Sequence, residues 1–188
     1  MTQKYQLLED DTIVRAGKTL YRIQALRDVA IGVQAGTKGG YIESEANLSQ
    51  EGKSFVCHEA CVYDQAIVEE NAILCGEATL RHHAILRGEA FVAGKAILQG
   101  HAILEGKAAI SDDVVVGGYA RVREGCKIGG KVHVGGRALL QGYIVLGGSL
   151  LILGDTIIDG EGSLFDDLIF MEAQHLHINK HGHVTMAT

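Results

Sequence analysis

Residues 80–110 read LRHHAILRGEAFVAGKAILQGHAILEGKAAI, with an aliphatic on every sixth position: Leu80, Leu86, Val92, Leu98, Leu104 and Ile110. Alanine follows four residues after each of the first five, at Ala84, Ala90, Ala96, Ala102 and Ala108. Glycine comes two residues after most of them, as at Gly88, Gly94, Gly100 and Gly106. Outward from this stretch the apolar series keeps its register from Val56 to Leu176. A period of six fits no α-helix, but it fits a short strand followed by a corner. The aliphatic and the alanine two places before it lie on one side of the strand and point inward. Glycine supplies the corner, where left-handed backbone is cheap without a Cβ. Asp64, Asp112 and Asp166 tolerate that corner next best. His58, Glu70, His82 and Glu124 tolerate it poorly, which predicts strained or differently shaped corners there.

A strict repeat of this length makes each unit bury itself on its neighbours, so a single solenoid domain is predicted. The hexads resemble the left-handed parallel β-helix, an all-β fold in which three hexads make one triangular coil. Residues 1–54 are read as an N-terminal cap with the first irregular hexads, 55–180 as the regular β-helix and 181–188 as a C-terminal tail. Thr19 to Ile23 reads as a strand able to form a hairpin with Thr12 to Arg15. Leu48 to Val56 spans eight residues rather than six, so a two-residue insertion near 51–54 breaks the register.

Two features together resemble the YdcK-like group of bacterial and prophage β-solenoid proteins: the leader QAGTKGGYIESEANLSQEG at 34–52 and the hexad train after it. Tyr41 stands where relatives tend to carry Trp. The resemblance extends in fold to the trimeric hexapeptide acyltransferases, and it implies transferase activity without assigning an active site.

Composition sets bounds. Seventeen basic against twenty-three acidic residues give a net charge of −6 and no basic stripe, which disfavours nucleic acid. No apolar run approaches membrane-spanning length and residues 1–5 lack a signal-peptide core, so a cytoplasmic protein is expected. Cys57 and Cys75 are eighteen residues apart and stack on adjacent coils, at about the 4.8 Å strand spacing. That permits a disulfide, although reduced thiols are the expectation in the cytoplasm.

With three hexads per coil, the column just after the aliphatic on one face is Glu69, Arg87, Glu105, Arg123, Gln141, Asp159 and His177. It reads either as a solvated ladder of alternating charge or as part of a subunit interface. The adjacent outward column, Ile67, Ile85, Ile103, Arg121, Leu139 and Ile157, favours the interface. Phe55, Ile73 and Phe91 on a second face and Ile97 and Val115 on the third are outward too. Apolar stripes of this length need cover. The N-terminal segment can seal one face at most, so homo-oligomerisation is expected, as a dimer or as the trimer that the acyltransferase resemblance implies.

His83 and His101 stack at one corner with His82 beside them, and are the candidate catalytic residues. One of them would be the general base of acyl or acetyl transfer from coenzyme A or acetyl-coenzyme A. Alternatively the pair would hold a zinc-like ion, as in a γ-carbonic-anhydrase-like lyase, with a third ligand from a neighbouring subunit. Against both, no hexad is interrupted by the extruded loop that enzymes on this scaffold carry. His175, His177, His181 and His183 alternate on the last strand as a weak metal-binding candidate. The reading with most support is therefore a non-catalytic, oligomeric interaction or scaffold protein with no cofactor or resident metal. The prophage relatives suggest a host protein, bound and blocked, as partner.

Overall fold

Two-residue strands recur every six residues from Phe55–Val56 to Leu139–Leu140, because each hexad has only two residues between corners. The computed structural model describes residues 3–186, among which there is no α-helix and one short 3-10 turn, Glu45–Asn47. Strands one coil apart pair in parallel: Ile97 with Val115 and Leu98 with Val116, eighteen residues on. The chain thus winds as a β-solenoid of about eight turns with three sheets as its faces. We name the faces by their outward residues in the middle coils: Phe91, Ile97 and Ile103.

The inward aliphatics and alanines from Val56 to Leu146 are all buried and form one continuous core. Backbone groups are satisfied between coils, as where Ile97 N–H donates to Val114 O and Gln99 N–H to Val116 O, each at 2.9 Å. Every coil therefore repeats both the packing and the ladder of the one below.

Of the two expectations for the bulky non-glycine corners, the strained left-handed backbone holds and the different shape does not. His58, Asp64, Glu70, His82, Asp112 and Glu124 have φ between 56° and 64°, close to the glycine corners, so their shape is the same. Five of the six compensate with a side-chain acceptor for the corner N–H one coil above. Glu70 Oε2 accepts from Gly88, Asp112 Oδ2 from Gly130 and Glu124 Oε2 from Gly142, at 2.8–2.9 Å. Asp64 Oδ2 accepts from His82 N–H and His82 Nδ1 from Gly100 N–H. Asp166 does not take the corner conformation; it ends the longer strand Ser163–Asp166.

The N-terminal segment closes the open end. Strand β1 (Tyr5–Arg15) and β2 (Lys18–Ala25) form a hairpin around Ala16 and Gly17, and β2 joins β3 (Lys38–Ile42), which starts the Ile97 face. Tyr5, Ile23, Val29 and Val33 add to the core. Lys4 is buried, its ammonium donating to Glu51 O, Ser54 O and Ser54 Oγ at 2.7–3.0 Å. Gly39 and Gly40 of the leader run against the first coil so closely that a Cβ would sit 2.4 Å from Val56 O and Ala60 O. The insertion in 51–54 lengthens the first coil: Ile42 pairs with Val62 and Leu48 with Val68, twenty residues apart. At the other end His175–Ile178 pairs antiparallel with Val184–Met186, so the segment read as a tail turns back as a strand.

Acid should loosen both ends first. Hydrogen bonds and charge from Lys38 and Arg22 hold Asp11 below the ordinary carboxyl value, and Lys18 does the same for Asp64. Burial would raise Asp159, but His175 and His177 at 2.8 and 2.7 Å outweigh it. A carboxyl with a depressed folded value stabilises fully above its ordinary value, near 4, and loses that contribution as pH falls through the folded one. Amide exchange below pH 4 is expected to accelerate in β1, β2 and His175–Ile178 before Leu86–Leu104; uniform acceleration would contradict this.

Candidate functional site

Outward positions carry whatever function the solenoid has, because the interior is filled. On the Ile103 face, Ile67, Ile85 and Ile103 stand in register and half-exposed, and Leu139 and Ile157 continue the column. The strands Ile85–Leu86 and Ile103–Leu104 pack mainly against their own sheet neighbours. Beside them Arg87 donates to Glu105 through Nε at 3.0 Å and Nη2 at 2.6 Å. Glu105 also meets Arg121 at 3.7 Å. The alternation predicted for this column holds only there: Arg123 turns to Gln141 at 3.0 Å, and among the described residues Glu69 makes no ion pair within 4.0 Å.

The cap covers parts of the two other faces. Leu20, Tyr41, Cys61 and Tyr63 form a small buried cluster on the outside of the Ile97 face, with Ile13 against it. Arg22 lies over the Tyr41 ring, 4.3 Å from its centroid. On the Phe91 face the 30–37 loop roofs a groove of about 650 Å³ over Phe55, Ile73, Cys57 and Cys75, with Phe91 at its far wall.

His83 and His101 stack with centroids 4.5 Å apart and planes 3° from parallel, and Tyr119 continues the stack at 4.8 Å. The two histidines, but not Tyr119, line a shallow depression of about 440 Å³ together with Asp64, Gln65 and His82. Parallel rings keep their nitrogen lone pairs in parallel planes, whereas a metal at about 2.0–2.1 Å from each nitrogen needs them to converge. His175 and His177 both bind Asp159, while His181 and His183 lie 6.3 Å apart as a separate pair. Among the described residues no three His, Cys, Asp or Glu side chains gather closely enough to share a metal ion.

Sequence reasoning stacked Cys57 on Cys75 but missed their surroundings. The thiols interact, which draws Cys75 below the ordinary thiol value, helped by His58, and drives Cys57 up. Burial pushes Cys126 up to about 12 and Cys61 up as well, so Cys75 alone of the four is drawn down. The available signal was His58, a bulky residue at a left-handed corner (φ 56°) one position from Cys57.

No protein-family model and no curated protein matches the chain. Fold and surface define its class: an all-β solenoid of stacked parallel strands with apolar outer columns. No helix among the described residues is long and apolar enough to cross a membrane.

Proposed function

We propose that this chain is a non-catalytic interaction protein of the YdcK-like kind, which self-associates through the Ile103 face and presents its remaining rigid surface to a protein partner. The column Ile67, Ile85, Ile103 carries the reading, since these outward side chains are only partly buried and an apolar stripe in register on a flat sheet favours contact with another surface. A second copy is the favoured occupant. The chain has net charge −6, yet the outward columns of this face carry Arg87, Arg121 and Arg123 against Glu69, Glu105 and Asp159, so two copies can meet there with their charges balanced. The leader and hexads support the YdcK-like assignment, and prophage members of that group make a blocked host protein the proposed further partner.

Ile85→Glu and Ile103→Glu should each weaken assembly at least about tenfold, since a carboxylate desolvated at the contact costs more than the roughly 1.4 kcal/mol that a factor of ten requires. Stability of the dissociated chain should stay within about 1 kcal/mol of the parent, because both side chains point away from the core. Light scattering and urea unfolding read the two effects; unchanged mass would exclude this face. The depression beside His83 and His101 supports the alternative, a coenzyme A-dependent acyltransferase. Saturable calorimetric binding of acetyl-coenzyme A, lost in His101→Ala, would replace the scaffold reading.

A further inference from the structure

The roofed groove on the Phe91 face lies apart from the Ile103 face and holds the two thiols that the scaffold reading leaves unused. Val56 pairs with Leu74 in the parallel ladder, so Cys57 and Cys75 are the next residues in register. Cys57 N–H donates to Leu74 O and Cys75 N–H to Val92 O, both at 2.7 Å, which fixes the two backbones side by side. The strand spacing of about 4.8 Å lies within the Cα separations that a disulfide spans. Both thiols are half-buried and free, and both line the groove. His58 lines it too, and it differs from the other non-glycine corners. They bind a backbone N–H one coil up, whereas the His58 side chain accepts none among the described residues and lines the groove with Cys75, whose thiol its charge helps draw down. Ile31, Phe55, Ile73 and Phe91 make the rest of the lining largely apolar, and the space of about 650 Å³ admits a small organic molecule.

We propose that Cys75 and Cys57 form a redox pair that reduces a small apolar hydroperoxide, with Cys75 as nucleophile, Cys57 as resolving thiol and His58 as the positioning residue for Cys75. The Cys75 thiolate attacks the terminal peroxide oxygen. The O–O bond breaks, and the alkoxide leaves as the alcohol with the proton that Cys75 released. Cys75 is oxidised by two electrons to the sulfenic acid. The Cys57 sulfur then attacks the Cys75 sulfur, the S–O bond breaks, and hydroxide leaves with the Cys57 proton as water. The disulfide staples the first regular coil to the second beneath the cap, and an external thiol restores the pair.

The test treats the reduced full chain at pH 7 with one equivalent of cumene hydroperoxide or of hydrogen peroxide. The expected product has lost two of its four thiols and about 2 Da. Trypsin leaves Cys57, Cys61 and Cys75 on one fragment, because residues 54–80 contain no Lys or Arg. Cleavage after glutamate separates them at Glu59, Glu69, Glu70 and Glu77, and should yield a cross-linked 57–75 pair. Cys57→Ser should stop at a sulfenic acid on residue 75 that dimedone traps, and Cys75→Ser should trap nothing at residue 57. His58→Asn, which accepts the left-handed corner, should slow the reaction at least about tenfold at pH 7 and much less at pH 9.5, where the thiol ionises unaided. Cumene hydroperoxide should outpace hydrogen peroxide at least about tenfold. Overturning results are four surviving thiols, trapping at Cys57 instead of Cys75, a His58→Asn rate equal to the parent's, or equal rates with the two peroxides.

Discussion

Leu104→Asp should leave the chain unfolded in water, while Ile103→Asp one residue earlier should fold. Leu104 is fully buried in the core column between Leu86 and Val122. Truncating a buried leucine costs about 2–5 kcal/mol, and an unpaired buried carboxylate adds several more. The sum rivals the roughly 5–15 kcal/mol that holds a domain together. Ile103 points outward beside Ile85 and Arg121, so its carboxylate stays hydrated and changes stability by about 1 kcal/mol at most. Circular dichroism and urea unfolding of the two variants decide the matter. A cooperative transition for Leu104→Asp near the parent's would mean that the inward column is not the core.

Removing residues 96–113 should be tolerated, and removing Gly100 alone should not. The eighteen-residue excision takes out one full lap and joins Lys95 to Val114, which replaces Ala96 at the small inward position. Leu80 then pairs with Val116, and each face loses one strand. The denaturant dependence should fall in proportion to the smaller buried surface while the transition stays cooperative. Loss of one residue turns every later side chain to the wrong side, placing polar residues in the core over several coils. That variant should be insoluble or unfolded, at a cost well beyond about 5 kcal/mol. Equal behaviour of the two deletions would contradict a lap of eighteen.

The inner columns were legible because period six leaves no alternative: Leu80, Leu98 and Val116 had to stack once the lap was known. The corners were not. His82 and Glu124 looked misplaced when judged singly, yet each meets the unpaired N–H of the corner above, which no local rule reveals. The cap was legible as a hairpin, but its reach across two faces depends on long-range packing by Leu20, Tyr41 and Val33. At the C-terminus the return strand had a signal in Asn179 and Gly182. Asn179 Oδ1 accepts from His181 and His183 N–H at 2.9 and 3.1 Å, and Gly182 has φ 79°. Of the candidate residues, the His83–His101 stack followed from the lap length, whereas the turn of Arg123 to Gln141 depended on side-chain choice among several neighbours.

Sedimentation equilibrium of the unmodified chain at micromolar concentration tests the self-association of the Ile103 face most directly. The account predicts a mass that is a whole multiple, two or more, of the 20.1 kDa chain. A single species of 20.1 kDa at every concentration would contradict it.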